Sequence, residues 1–280
     1  MTRATILIPA HNEEAVIGRT LMHLSRGLPL NKFRLVVIAN ACTDSTVGRA
    51  LSVLPDVEII ETDTPGKCHA LNLGSQVATR GRPVICLDAD LDVTAESLTA
   101  LIAPLEEQTA QAACGQMDVR TTGASAMVRA YYTGWRNNPY FDSGKFGGLV
   151  ALSAETADRL FPLPAITADD EFMRRSVAAS DIAFVRDCRF TARAPSTLKS
   201  LIQVRRRSLR GARALSAMGL TSPEQGSVGT VLGRALCNPR RAPSILFYAA
   251  VNTWVRLQLL TEKPASDVRW ERDVTTRVAG

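Results

Sequence analysis

Asp88 and Asp90 follow directly on the apolar run 84–87 in the stretch VICLDADLDV (84–93). Carboxylates at i and i+2 share one side of an extended chain. Hard oxygen donors of this kind suit Mg²⁺ or Mn²⁺, ions that bridge substrate phosphates and keep several waters. Asp92, one step further on, reads as a solvated turn acid. Lys67, in GKCHALNLG (66–74), stands at an expected helix start, where a cation opposes the helix dipole. Either it answers to another charge, such as a diphosphate, or it is a surface lysine whose stem lies along the protein with its ammonium in water. Glu13, in IPAHNEEAV (8–16), can accept from a ribose or simply complement a helix start. Asn40 and Asp44, in ANACTDST (39–46), can face a base or ribose, or cap a turn. His69 has no partner at metal-ligand spacing and reads as structural.

These residues must be held by regular elements. The β-branched runs 4–8, 34–39, 57–60 and 83–87 read as strands. The first, second and fourth are almost continuously apolar, as parallel strands buried on both faces are. Helical patterns lie between them. Ile17, Leu21 and Leu24 repeat at helical spacing behind Asn12, an expected N-cap. Asp44 is placed to cap a helix running to about Leu54, and a third helix follows Pro65-Gly66. The βαβα order predicts a doubly wound α/β sheet with right-handed crossovers, whose ligands bind at the carboxyl ends of the strands. Asp88, Asp90 and Asp92 are at such an end. Further along, 94–107, 125–136, 169–179 and 196–215 read as helices, and 112–119 and 147–153 as strands. A Gly/Pro/Ser-rich link (219–229) precedes the apolar stretch 244–260.

With 280 residues, 46% hydrophobic and 21% charged, the chain suits one large globular domain or one domain with an appendage. The apolar run in MTRATILIPAHNEE is too short for a secretory signal, and no run of about 20 apolar residues exists. Six cysteines at 42, 68, 86, 114, 188 and 237 form no C-x-x-C, so they read as buried thiols of a cytoplasmic protein. The net charge of +6 is uneven: residues 186–241 carry twelve Lys/Arg against Asp187 and Glu224. This run is either a solvated surface or faces something anionic; with few aromatics and no recognition motif, phosphate groups or acidic lipid headgroups suit it better than nucleic acid.

Taken together, ILIPAHNEE, VVIANACTDST, GKCHALN and CLDADLDV, in this order, resemble the family 2 glycosyltransferases of the GT-A fold over about residues 4–210. The resemblance implies a mixed, Rossmann-like sheet with C-terminal helices. It implies a catalytic domain at 1–215 (nucleotide-binding half 1–110, acceptor half 111–215) and a helical extension at 216–280. A nucleoside-diphosphate sugar would meet Pro9, Ala10, Glu13, Asn40 and Lys67. Asp88 would face the ribose or sugar, and Asp90 would hold the divalent metal. GGLVALS resembles the family's acceptor-side strand, which places Gly147 and Gly148 near the donor sugar. ITADDEFMRR (166–175) resembles the acidic element that carries the base of inverting transfer, which maps onto Asp170 with Asp169 beside it and Glu171 following. In QVRRRSLRG (203–211), Gln203 and Arg206 match the family's Q-x-x-R-W, but Arg207 replaces the tryptophan. That departure points to single-sugar transfer rather than polymerisation. Arg206 and Arg210, four apart, can clamp a diphosphate or an anionic acceptor, while Arg205 equally suits a solvated helix face.

Two other functions fit parts of the pattern. A nucleotidyltransferase shares the layer but needs a Gly-rich phosphate loop, and residues 9–14 hold no glycine. A non-catalytic nucleotide-sugar-binding or membrane-associated protein would not need Asp88, Asp90 and Asp170. The acceptor, whether small molecule, glycan or lipid-linked, is not encoded in any motif. Residues 244–260 read either as a helix packed on the domain or as a peripheral membrane contact through Trp254, with Arg240-Arg241 near headgroups.

Overall fold

The structure is a computed structural model describing residues 3–27, 29, 32–137, 146–220, 233 and 240–261. The described residues divide into two compact units, one within Met1–Asp118 and Gly144–Ala192, the other within Val119–Ser143 and Arg193–Thr276. The expected link at 219–229 falls almost wholly outside the described residues, as does Cys237.

The first unit is built on a sheet of eight strands: β1 (Ala4–Ala10), β2 (Phe33–Asn40), β3 (Glu58–Thr62), β4 (Val84–Leu87), β5 (Asp92–Val93), β6 (Ala112–Arg120), β7 (Leu149–Leu152) and β8 (Ile182–Arg193). Their order is β3-β2-β1-β4-β7-β6-β8-β5. The four leading strands run parallel, and β7 enters antiparallel between β4 and β6, so the sheet is mixed. The helices of this unit are α1 (Glu14–Ser25), α2 (Thr46–Val53), α3 (Lys67–Val77) and α4 (Ala95–Glu106). Within the described residues of the second unit lies α5 (Ala126–Trp135), and the first unit resumes with α6 (Ala154–Leu160) and α7 (Asp169–Arg175).

Alternation along the strands explains why the sequence reads as continuously apolar. Ile6, Ile8, Leu35, Val37, Ile85 and Leu87 enter a core shared with α1 and α4. Their neighbours Leu7, Val36, Ile38, Val84 and Cys86 enter a second core with α3, α6 and Met173 of α7. The large apolar residues of the central strands thus find a core on either face of the sheet, each contributing about 1.5–3 kcal/mol. β3, on the edge, is only half-buried. Four cysteines, 68, 86, 114 and 188, are buried, and burial pushes the thiols of Cys86, Cys114 and Cys188 up to about 12.

Beyond α5, the second unit contains α8 (Leu198–Ala217) and α9 (Ala242–Thr261), and α9 packs on both α5 and α8. Gly134 of α5 lies so close to the Ser244 carbonyl of α9 that a Cβ there would collide with backbone. Arg205 of α8 donates to Asn252 Oδ1 at 3.2 Å, and Tyr131 of α5 is buried beside them. This corrects the reading of Arg205 as a solvated face: it is part of the helix packing. The segment 244–260 is accordingly a packed helix on one side, through Ile245, Val251, Val255 and Leu259. Its other side exposes Leu246, Trp254, Leu257 and Leu260. Among the described residues no helix is long and apolar enough to cross a membrane.

Candidate active site

The strand order reverses direction between β1 and β4, and an open α/β sheet binds ligands outside the strand ends at such a point. The exits of β1, β2 and β4 meet there. Pro9 and Ala10 end β1 fully buried, and Glu13 is buried at the following turn. Asn40 ends β2 with both sides of its amide engaged: Nδ2 donates to the Ala10 carbonyl at 2.9 Å and Oδ1 accepts from Gly66 N at 3.1 Å. It ties the β1 exit to the start of α3. His11 Nδ1 donates to the Asn40 carbonyl at 2.7 Å.

Asn12 is not the cap of α1. It adopts a left-handed conformation (φ 53°) and turns its Oδ1 to Thr43 N at 2.6 Å. The opening N–H groups of α1 are satisfied from the neighbouring exit instead: Thr46 Oγ1 accepts from Glu13 N at 2.7 Å and Asp44 Oδ2 from Glu14 N at 3.1 Å. Asp44 Oδ1 also accepts from Thr46 N at 3.0 Å, so one carboxylate serves two helix starts. The two loops that end β1 and β2 are therefore cross-linked and hold each other in register.

Lys67, the first residue of α3, reaches Asp88 Oδ1 at 2.6 Å and Asp169 Oδ2 at 2.8 Å. Asp170 also lies within its field. Burial pulls the ammonium pKa down, but Asp169, Asp88 and Asp170 together outweigh it and hold the value well above normal. The sequence misfit at this helix start is thus resolved by carboxylates of the chain itself. The bridge brings the β4 exit and the acidic start of α7 together within one compact unit.

Asp88 is fixed from a second side. Its N–H donates to the Gly148 carbonyl at 2.7 Å, continuing the β4–β7 register past Leu87 and Leu149. Gly148 has φ +82°, and a Cβ there would run into the Asp88 carboxylate. Gly147, just before it, is half-buried. Replacing Gly148 by Ala should cost about 1–3 kcal/mol of stability and displace Asp88. Urea denaturation beside nucleotide binding would measure both effects, and unchanged values would show that the loop yields without cost.

The three acids of α7 differ in their surroundings. Asp169 is 4% exposed and committed to Lys67. Glu171 accepts from Arg174 (Nε, 2.8 Å; Nη2, 2.5 Å) and from Arg175 Nε at 2.7 Å. Burial alone would raise its pKa, but the two guanidiniums more than offset this and hold it below normal. Asp170 is half-buried, and its Oδ1 accepts from Glu171 N at 2.8 Å. The helix is shorter than expected, ending at Arg175. A carboxylate with a lowered folded-state pKa stabilises the fold above its unfolded value of 4.5 and loses that effect as pH falls through the folded value. Glu171→Gln should therefore cost about 2 kcal/mol at pH 7 and much less near pH 3. A pH series of melting curves on both proteins tests this; a pH-independent difference would contradict it.

Asp92 is not a solvated turn acid. It pairs with Thr191 across β5 and β8, its side chain is 9% exposed, and it takes Arg19 Nε at 2.6 Å. The expectation failed because Arg19 lies far away in sequence, on α1. Asp90 sits half-buried in the turn between Asp88 and Asp92. Two residues that no motif singled out, Arg19 and Thr20, contact this turn. Among the described residues no group of three or more His, Cys, Asp or Glu could form a protein-only metal cage. Asp90 and Asp88 offer hard oxygen atoms, a donor set that fits an Mg²⁺ or Mn²⁺ taking its other ligands from phosphate and water. Arg206 and Arg210 lie one turn apart on α8, within the second unit, and both are half-buried.

Comparison with known proteins gives this geometry a context. The profile described as glycosyl transferase family 2 matches residues 5–156. No curated protein sequence matches significantly. Among solved structures, the mannosyltransferase PcManGT from Pyrobaculum calidifontis in complex with GDP-Man and Mn²⁺ aligns with a TM-score of 0.60 at 22% identity, over 94% of this chain and 81% of that one. Glucosyl-3-phosphoglycerate synthase from Mycobacterium tuberculosis, in complex with Mn²⁺, UDP-glucose and glycerol 3-phosphate, aligns with a TM-score of 0.53 at 20% identity, over 78% and 80% of the two chains. Likeness at such identities speaks to the fold, which is GT-A. The profile spans more than half of the chain and contains all four strand-exit motifs, and on that ground the chain belongs to glycosyl transferase family 2.

Proposed function

We propose that this glycosyltransferase moves a single sugar from a UDP- or GDP-linked donor to an acceptor hydroxyl, with inversion and with Mg²⁺ or Mn²⁺ at Asp90. The observation that carries the reading is the Lys67 bridge, which joins a donor-side carboxylate, Asp88, to the acidic helix α7. The nucleotide would lie along the exits of β1 and β2, against Pro9, Ala10, Glu13 and Asn40. Asp88 would meet the ribose or the sugar, near Gly147 and Gly148. When bound, the cation would neutralise charge on the leaving diphosphate.

The base assigned here is Asp170. Asp169 is buried and committed to Lys67, and Glu171 is a weak base under two guanidiniums. Asp170 is more open than Asp169 and stands beside them on the same helix start. It would take the acceptor proton as the oxygen attacks the anomeric carbon. Arg206 and Arg210 would engage the diphosphate or an anionic acceptor, and Arg207, in the place of a tryptophan, supports transfer of one sugar. The neighbours' GDP-Man and UDP-glucose complexes make guanosine and uridine donors the first to try.

The direct test is incubation with UDP-glucose and with GDP-mannose, with and without Mn²⁺, followed by NMR of the product. Release of UDP or GDP that requires Mn²⁺, with an inverted anomeric centre, supports the reading. Retention would remove Asp170 as base, and pyrophosphate release from a nucleoside triphosphate would replace transfer by nucleotidyl transfer. A thermal-shift panel of UDP, GDP and TDP with Mn²⁺ identifies the base independently of any acceptor.

A lipid-linked acceptor at an anionic membrane surface is the acceptor class we infer from α9. Its open side presents Leu246, Trp254, Leu257 and Leu260, and residues 225–261 contain no acid but include Arg240, Arg241 and Arg256. Co-sedimentation with phosphatidylglycerol vesicles, lost in Trp254→Ser/Leu257→Ser, would support it; binding equal to that of neutral vesicles would oppose it.

A further inference from the structure

The turn that carries Asp90 is held by α1 atom by atom. Thr20, fully buried, directs its hydroxyl at two carbonyls of the turn, Ala89 O at 2.8 Å and Leu91 O at 3.1 Å. The preceding residue, Arg19, donates from Nη2 to the carbonyl between them, Asp90 O, at 3.2 Å. Its Nε simultaneously pairs with Asp92 Oδ1 at 2.6 Å. Two consecutive residues of one helix therefore address the three consecutive carbonyls of 89–91 and the acid that closes the turn. The ends are anchored separately, by Asp88 N on Gly148 O and by Asp92 in the β5–β8 ladder. Ala89 and Leu91 point into the core at 5% and 3% exposure. With both ends, all three carbonyls and both flanking side chains fixed, the backbone that aims the Asp90 carboxylate has little freedom left.

We propose that Arg19 and Thr20 are positioning residues that pre-organise Asp90 for the divalent cation. A cation site that draws few ligands from the protein and the rest from phosphate and water depends on each carboxylate being presented correctly. The ordering of the turn is then met on folding and not on metal binding. Losing an outer contact of a metal ligand typically lowers metal affinity by about 10–100-fold. The inference rests on Asp90 being the metal ligand.

The experiment titrates MnCl₂ into the full chain at fixed UDP, and separately at fixed GDP. Bound Mn²⁺ is read by electron paramagnetic resonance, and stabilisation by the melting temperature. Arg19→Gln and Thr20→Val should raise the apparent Mn²⁺ dissociation constant about 10–100-fold. Thr20→Ser, which keeps the hydroxyl, should titrate like the wild type, and Arg19→Lys should fall between, since an ammonium cannot reproduce the two-pronged contact. Wild-type Mn²⁺ affinity in Arg19→Gln overturns the proposal, even if that variant melts lower without ligand, because the contact would then be structural only. Arg19→Gln decides the matter alone if Thr20→Val does not fold. A wild-type protein whose nucleotide binding ignores Mn²⁺ removes the metal role of Asp90 and this inference with it, whereas failure of the variants to differ from a Mn²⁺-dependent wild type removes only this inference.

Discussion

Asp170→Asn should lower kcat by about 10²–10⁴-fold, the range general base catalysis contributes, while nucleotide binding and melting temperature stay close to wild type. The amide is nearly the size of the carboxylate, and its oxygen can still accept from Glu171 N, so the start of α7 keeps its geometry. What it cannot do is take a proton. The neighbouring acids should behave differently, and the contrast is the substance of the prediction. Asp169→Asn withdraws the buried partner of Lys67 and should lower stability as well as activity. Glu171→Gln weakens two guanidinium contacts within α7 and should act on stability and its pH dependence, with turnover much less affected. Steady-state kinetics beside denaturation curves for the three variants separates these outcomes. Full turnover in Asp170→Asn would move the base elsewhere, and equal losses of kcat in all three would mean that the helix acts as a unit.

Much of the first unit could be read from the chain because its signals are local. β1, β2 and β4 announce themselves as apolar runs, since both faces of a central parallel strand are buried, and helical spacing marks α1, α4 and α8. β8 does carry a strand signal: residues 187–193 alternate strictly, Asp-Cys-Arg-Phe-Thr-Ala-Arg, with Cys188 and Phe190 turned inward. Its arginines at 186, 189 and 193 mask that period behind a run of charge. α6 leaves little local signal: it is only seven residues long, and its stability comes from packing on β7 more than from propensity. The individual residues of the site were legible by type, but their partners were not. Lys67 stood out as a cation in the wrong place, yet nothing local could say that Asp169, about a hundred residues later, would be its counter-charge. Arg19 and Thr20 gave no signal at all, because an Arg-Thr pair on a helix acquires meaning only once the β4 exit is folded against it.

Lys67→Met should be the most damaging single change in the site, costing about 3–5 kcal/mol and abolishing transfer. The two arms of the bridge do not contribute equally. Asp88 is 35% exposed at its side chain, so water already screens it and its share of the ion pair is small. The Asp169 side chain is 6% exposed, and its charge has no such recourse once the ammonium is gone. Most of the loss therefore comes from leaving Asp169 buried and uncompensated. That argument has a consequence a simple contact count would not give: Lys67→Met/Asp169→Asn should be more stable than Lys67→Met alone, because the second change removes the stranded charge. Activity should not return, since Asp88 would still lack the ammonium that holds its carboxylate. Lys67→Arg should recover part of the stability and little of the activity, because a planar guanidinium does not fit where a compact ammonium reaches two carboxylates within 2.8 Å. Urea denaturation of the wild type, Lys67→Met, Asp169→Asn and the double variant gives the coupling energy directly. A double variant no more stable than Lys67→Met would mean that the bridge holds Asp88 and α7 through packing of the lysine stem rather than through charge.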